Sequence, residues 1–444
     1  MQEVISATKS QSERIDTALG KLPSNWEVRR LSDACRVNPD SFSIESHEGE
    51  TFEYITLSTV DGGVIHCSET TPIADAPSRA KRKVKKGDVL VGTVRPKQRS
   101  HGFVTPEHDG KVCSTGFGVL RPKDELNSQY LLQEILAHRF FRQMMAYVAG
   151  SGYPAVKLSD LNKHRIALPP LDEQRKIASV LATVDAAIQK TEAVIEQAKR
   201  VKRGIKQTLF AEGAVDHQGF RETKLGKHPA NWDLARFEDL ISDTRYGTDN
   251  KSNTEGEGYP TLRIPNVVNR RITLDDLKHT PLSSGELERL RLEEGDLLVV
   301  RTNGNPDYVG RCATFSNQNE DFVYASYLIR MRLDESRVRP AFVREFLNSY
   351  RGRTEMSGWI RSSAGNYNLS VGAIEKFQIP VPPLEEQDAI LRQFRAAEKA
   401  IQNNRGLVSR LSRVKKGLMQ DLLTGRVRTD DKDIAILDEV AARG

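Results

Sequence analysis

Apolar positions along the chain follow two rhythms. From residue 171 onward, and again from residue 384, apolar side chains recur at spacings that alternate between four and three. That is the period of a helix burying a single stripe. The first stripe is Ile177, Leu181, Val184, Ile188, Thr191, Ile195, Ala198, Val201, Ile205 and Leu209. Adding 213 gives the second: Ile390, Phe394, Ala397, Ile401, Asn404, Val408, Leu411, Val414, Leu418 and Leu422. After Ala198 the spacing becomes 3, 4 and 4, a slip in a heptad seam. Double prolines, Pro169–Pro170 and Pro382–Pro383, precede the two stretches and suit helix starts, where no backbone donor is lost. Helices of this length run to about 60 Å. Alone, each would leave its stripe in water, so the pattern predicts that the two bury their stripes on each other. Ile177, Leu181, Val184, Ile188, Ile195, Ile390, Phe394, Ile401, Val408 and Leu411 are the expected pairing residues. The matched polar positions Thr191 and Asn404 are expected to set register. The matched glycines Gly204 and Gly417 suggest close approach of a backbone, either the other helix or a partner.

The second rhythm fills residues 22–167 and 228–380, where short β-like runs (YITLSTV, DVLVGTV, DLLVVRT, VYASYLIRMRL) are broken by Gly, Pro and Asn. Helical stretches at 128–147 and 340–350 interrupt them. Such alternation predicts mixed α+β domains with short strands.

The two halves are copies. LPSNWEVRRLSDA at 22–34 recurs as HPANWDLARFEDL at 228–240, and KKGDVLVGTVRP at 85–96 as EEGDLLVVRTNG at 293–304. LPPLDEQRKIASVL at 168–181 recurs as VPPLEEQDAILRQF at 381–394, and VKRGIKQTLF at 201–210 as VKKGLMQDLL at 414–423. The offsets are 206, 208, 213 and 213, so one unit has been duplicated in register. Trp26 and Trp232 stand at matched places among alternating apolar residues and are expected in the core.

Composition narrows the class. Of 444 residues, 38% are hydrophobic and 28% charged, and no apolar run reaches the 18 or more residues of a membrane span. The N-terminus lacks the apolar core of a signal peptide. Cys35, Cys67, Cys113 and Cys312 form no CxxC pair, which fits a reducing cytoplasm and argues against a zinc site. The net charge of +6 conceals clusters: +8 over residues 79–99, +4 over 196–206 and +5 over 405–416. Such clusters attract a polyanion locally.

Enzyme motifs are mostly missing. There is no GxxxxGK[ST] loop and no close histidine pair. The NPD tripeptides at 38–40 and 305–307 match only the beginning of the amino-methyltransferase motif, and no glycine-rich loop precedes them. Asp40 and Glu53 lack the nearby lysine of a nuclease site. The expectation is a binding protein without catalytic or metal-ligating residues.

In its order of globular domain, PPLxEQ-led helix, second globular domain and second PPLxEQ-led helix, the chain resembles the specificity (S) subunit of type I restriction–modification systems. LPPLDEQRKIA at 168–178, VPPLEEQDAIL at 381–391 and VKKGLMQDLLTGRVR at 414–428 carry the resemblance, which covers nearly the whole chain. The first copy ends GIKQTLFAEG instead of GLMQDLLTG, a departure that leaves its helix end less defined. The resemblance implies an α+β chain with two mixed α/β target recognition domains, separated by two long α-helices forming an antiparallel coiled coil in a pseudo-two-fold repeat. Expected bounds are 1–167 for the first recognition domain (1–20 an extension), 168–213 for the first spacer helix, 214–380 for the second domain, 381–426 for the second helix and 427–444 for a tail. It further implies recognition of a bipartite, asymmetric site on double-stranded DNA, with two methylation (M) subunits docked on the helices and restriction (R) subunits joined through the complex. S-adenosylmethionine, ATP and magnesium would belong to those partners, with no cofactor on this chain, no membrane association and a cytoplasmic location. The alternatives are a stand-alone coiled-coil scaffold with nonspecific affinity for DNA, and an enzyme with an unrecognised site.

Candidate DNA contacts follow from residue type and position. Arg95, Lys97 and Arg99 follow the KKGDVLVG strand; Arg301, Asn303, Asn305 and Tyr308 follow EEGDLLVV. Long cationic and amide side chains on turns suit phosphate clamping or base reading. The loops at 149–157 and 361–370 offer Tyr153, Arg361, Asn366 and Tyr367 beside small residues. Lys81, Arg82, Lys83, Lys85 and Lys86 are expected to meet phosphates.

Overall fold

The computed structural model describes residues 13–45, 47–149, 154–316, 320–363 and 365–429. The chain forms two compact units, Met1–Glu192 with Gly406–Gly444, and Ala193–Arg405. Two long helices, Leu171–Glu212 and Leu384–Leu422, each contribute one end to either unit.

In the first unit the continuous apolar run Val89–Gly92 is buried at every position, as expected of a strand covered on both faces. It pairs with His101–Phe103 on one side and Phe117–Pro122 on the other, and Cys35–Val37 completes an antiparallel sheet. A second sheet orders Glu69–Pro72, Thr51–Ile55, Val112–Ser114 and Ala80–Lys83, its central pair parallel. The second unit repeats the first sheet strand for strand: Ile241–Tyr246, Leu328–Leu333, Leu297–Val300, Cys312–Thr314. Its second sheet has three strands, Lys278–Thr280, Tyr259–Leu262 and Val323–Tyr324. Where the first unit has edge strand Ala80–Lys83, the second has helix Ser284–Leu290, started by a capping box between Ser283 and Glu286.

The recurring GD of KKGD and EEGD has a structural cause. Asp88 and Asp296 are buried. Each closes its turn by accepting a backbone N–H, from Lys85 at 2.8 Å and Glu293 at 2.8 Å. Each also takes both arms of an arginine on the neighbouring strand, Arg121 at 2.7 and 2.8 Å and Arg332 at 2.8 and 3.0 Å. The bidentate geometry compensates the buried carboxylate.

The PPLxEQ motif is the joint between helix and domain. Trp26 Nε1 donates to Glu173 at 3.0 Å and Trp232 Nε1 to Glu386 at 2.9 Å, with both indoles buried. The neighbouring buried amides, Gln174 and Gln387, donate back to Pro169 O and Pro382 O at 2.8 Å each and accept from Asn127 N and Arg339 N at 2.8 Å each. Glu173 also takes Arg428, and Glu386 takes His217 at 2.8 Å. Each helix start is therefore pinned to its domain and to the chain leaving the other helix.

Within each unit the long helices run antiparallel. In the first, Asp185 meets Lys415 at 2.6 Å and Leu422 joins the core of Ile177 and Leu181. In the second, Lys202 pairs with Glu398, and Phe210 packs on Phe394 with ring centroids 5.6 Å apart. Ile177, Leu181, Val184, Ile195, Ile390, Phe394 and Ile401 are buried; Ile188, Val408 and Leu411 are half-buried. The later seam differs from the simple stripe: Val201 is 49% and Val414 52% exposed. After the slip the buried face turns toward the globular core, where Leu209 and Phe210 join Trp232 and Phe342.

Two further expectations change. Thr191 and Asn404 bond back to their own helix, at Ala187 O (2.7 Å) and Ala400 O (2.9 Å), where a register lock across helices was expected. A Cβ at Gly204 or Gly417 would meet nothing within 4 Å, so neither glycine has a close neighbour among the described residues. Residues 14–17 of the expected N-terminal extension form a hairpin with Gly20–Pro23, repeated by Phe220–Thr223 and Gly226–Pro229.

Candidate nucleic-acid interface

The two loops that the sequence nominates separately in the second unit are brought together by a small sheet. Strand Asn366–Asn368 pairs with Arg361–Ser363 on one side and Thr302–Asn303 on the other, with Asn303 opposite Tyr367. Gly365 turns the hairpin at φ +80°, a conformation that favours glycine. Arg361 and Asn366 are exposed and Tyr367 half-buried. Arg301 stacks over the Tyr246 ring at 4.7 Å, and its backbone N–H donates to Tyr327 O at 3.0 Å. Asn303 and Asn305 use their Oδ1 atoms to accept the N–H groups of Asn305 (2.8 Å) and Asp307 (2.9 Å). Each oxygen keeps a second lone pair, and neither Nδ2 has a protein acceptor among the described residues. Each amide is thus held by its own turn, with its NH2 left to donate outward, the edge chemistry that can pair with an adenine. Tyr246 (41% exposed) and Tyr327 (56%) adjoin Arg301, while Tyr308 (36%) lies under Arg311 at 4.5 Å. The sequence did not single out Tyr246 or Tyr327; the one signal they have in common is a tyrosine at a strand end, which a buried core aromatic shares.

The first unit builds the same junction more sparsely. Val94 bridges Ala155, Ala149 bridges Ala155, and Arg95 N donates to Pro154 O at 2.8 Å. Tyr153 lies outside the described residues. Arg95 and Lys97 are exposed. Arg99 is half-buried: its guanidinium donates to Leu136 O and stacks over Phe141 at 5.3 Å, and burial pulls its pKa below the ordinary value. Arg95 and Arg99 both take left-handed backbone angles, φ 48° and 53°, bracketing the turn Pro96–Gln98. Each costs of order 1 kcal/mol for a non-glycine residue, so Arg99's two contacts hold the turn that presents Lys97.

Along edge strand Ala80–Lys83, Lys81 and Lys83 are exposed. Arg82 points the other way and is half-buried, its pKa lowered by that burial. The alternation of a strand, invisible in a run of basic letters, decides this. Lys85 lies 3.4 Å from Asp40, and Lys86 is exposed. Asp40, in the first NPD, is held below its usual carboxylate range by hydrogen bonding from Arg121. Glu53 accepts from Ser68 and Thr70. Both carboxylates are accounted for within the fold.

A duplicated recognition core carrying two different loop sets, joined to paired helices by a Trp–Glu–Gln lock, is the architecture of a DNA-specificity protein. The chain matches the type I restriction modification DNA specificity domain twice, over residues 23–200 and 229–413, and belongs to that family. It is 24% identical over 441 residues to the EcoKI type I restriction enzyme specificity subunit of Escherichia coli K12, covering 95% of this chain and 94% of that one. It is 25% identical over 429 residues to the putative MjaX specificity subunit of Methanocaldococcus jannaschii, covering 93% and 96%. Among solved structures, a chain from a study of complex assembly and conformational transition in a type I restriction–modification system aligns with TM-score 0.59 at 22% identity, covering 92% of this chain and 100% of that one. The S subunit from M. genitalium aligns with TM-score 0.51 at 13% identity, covering 91% and 96%. These likenesses show a common fold. The protein is a specificity subunit of the type I restriction–modification family.

Proposed function

We propose that this chain is the DNA-reading adaptor of a type I complex and catalyses neither methylation nor cleavage itself. Each unit reads one half of a bipartite, asymmetric site. What supports this is one contrast: the strand order of the core sheet is the same in both units, while the surfaces on it differ. One unit has a four-stranded second sheet and a bridged loop; the other has a three-stranded sheet, helix Ser284–Leu290 and the Asn-rich hairpin sheet. Arg301, Asn303, Asn305, Tyr308, Arg361, Asn366 and Tyr367 contact one half-site, and Arg95 and Lys97 the other. Lys81, Lys83, Lys85 and Lys86 contact phosphates.

The long helices set the gap between half-sites and dock two methylation subunits. Val194, Val201 and Gly204 on one helix and Leu407, Val414 and Gly417 on the other are exposed, matched and spaced seven and three apart. An apolar stripe with a glycine notch suits a partner helix. Restriction subunits join through the methylation subunits. S-adenosylmethionine, ATP and magnesium act on those partners, and the complex works in the cytoplasm. Among the described residues, no helix is long and apolar enough to cross a membrane.

The test is methylation mapping with this chain and its methylation subunit. Adenine methylation at one bipartite sequence, altered in one half only when one unit's loops are exchanged, is the expected result. Binding that salt abolishes equally on every sequence would establish the scaffold alternative, and methylation or cleavage by this chain alone would establish an enzyme.

A further inference from the structure

The basic clusters at 196–206 and 405–416 lie late in the two long helices, and the recognition loops do not account for them. The structure gives them a common setting. In the first unit a cavity of about 970 Å³ lies between the start of helix His138–Ala146 and the end of the second long helix. In the second unit a cavity of about 830 Å³ lies between the start of helix Tyr350–Ser357 and the end of the first long helix. Their linings correspond through the repeat: Lys415 and Lys416 stand 213 residues beyond Lys202 and Arg203, and Gln420 beyond Gln207. Five lysines and arginines line the first with no carboxylate; eight line the second with one, Glu398.

Some of that charge is already neutralised. Lys415 pairs with Asp185, Lys202 with Glu398 and Lys206 with Glu345. Arg142 and Lys416 in the first cleft, and Arg203 and Arg405 in the second, form no ion pair within 4 Å among the described residues, although Arg203 lies in the field of Glu196 and Arg405 in that of Glu398. Four like charges kept in duplicated concave sites, with the N-terminal end of a helix at each, form a field that favours an anion.

Each cleft also borders the candidate recognition loops. Gln98 and Arg99, on the turn that carries Arg95 and Lys97, line the first. In the second, Arg353 donates to Val309 O at 2.6 Å and Asp307 O at 3.2 Å, on the loop following Asn303. Continuity with those loops favours the phosphates of the duplex they read over an acidic segment of a partner protein.

We propose that the two clefts are matched phosphate clamps. Arg142 with Lys416, and Arg203 with Arg405, hold the DNA backbone beside each half-site without reading sequence. This rests on the loops facing DNA. Neutralised counterions leave the duplex as each cation docks, so each clamp adds salt-dependent affinity common to all sequences.

The test uses the full chain in its complex with the methylation subunit. Binding is measured against salt for a duplex carrying the mapped site and for a scrambled duplex of equal length. Arg203→Gln with Arg405→Gln should lower the slope of log K against log salt by about two, near 0.9 per lost cation, equally on both duplexes and without changing the methylated sequence. Arg203→Lys with Arg405→Lys should restore the slope, which a purely structural role for the guanidinium groups would not allow. An unchanged slope with loss of the methylation subunit would assign the cleft to an acidic protein segment. A larger loss on the site than on the scrambled duplex would make the residues base readers. Either outcome overturns the clamp. If the parent complex shows no sequence preference, the function proposed for the loops fails, while the slope still scores the clefts.

Discussion

Replacing Glu386 by glutamine keeps the side-chain volume and removes one acceptor from the joint between helix and domain. The carboxylate is 5% exposed and takes three donors: Trp232 Nε1 at 2.9 Å on one oxygen, Ala214 N at 3.0 Å and His217 Nε2 at 2.8 Å on the other. A glutamine placed to serve Ala214 and His217 turns its NH2 toward the indole N–H. One hydrogen bond is lost and two buried donors face each other, at a cost of about 1–3 kcal/mol. The unit it supports runs from residue 193 to 405, a size at which 1 kcal/mol moves Tm by ~2–4 °C. A loss of about 2 kcal/mol should therefore lower Tm by ~4–8 °C in thermal unfolding of the full chain. Trp232→Phe in the parent and in the Glu386→Gln background completes a double-mutant cycle, with an expected coupling near ~1 kcal/mol. A Glu386→Gln variant melting with the parent, or costs that simply add, would refute the claim that the glutamate of PPLxEQ exists to receive the tryptophan.

Three other outcomes can be measured. Removing one heptad from both long helices shortens each by about 10 Å, so the gap between methylated half-sites should change by about three base pairs at 3.4 Å per pair; an unchanged gap ends the spacer role. Gly204→Ala and Gly417→Ala meet no neighbouring atom within 4 Å and should stabilise the isolated chain by about 0.5–1 kcal/mol each. Weaker association with the methylation subunit in the same variants would place that subunit's helix over the glycines, and undiminished association would remove it from there. His101 is buried, and burial first, then the charge of Arg99, push its pKa down to about 3. The unfolded chain therefore binds the proton more readily, and stability falls as pH drops below about 6.5 toward 3. Between pH 7.5 and 5 the parent should lose roughly 2 kcal/mol more than His101→Asn, at 1.36 kcal/mol per unit. Parallel Tm profiles for the two would show that His101 does not titrate as its burial requires.

Periodicity and repetition determined much of this protein by themselves. The two helices, their common start at a double proline, the mixed domains and the duplication are all legible, because each depends on local spacing or on comparing the chain with itself. The buried strand Val89–Gly92 announces itself by four consecutive apolar or small residues. Its counterpart Leu297–Val300 does the same.

Tertiary structure alone decided what individual polar residues do. Arg82 and Lys83 are neighbours in one basic run, yet the two faces of a strand send one inward and the other to solvent. Arg99 and Lys97 share a turn, and only the fold supplies Leu136 and Phe141 to hold the first. Thr191 and Asn404 sit on the predicted seam but satisfy themselves against their own helix. The meaning of Glu173 and Glu386 depends on a tryptophan some 150 residues away, and that of Gln174 and Gln387 on Asn127 and Arg339, distances that no local pattern spans. A charge or hydrogen bond takes its value from its partner and its exposure, and both are set by segments distant in sequence.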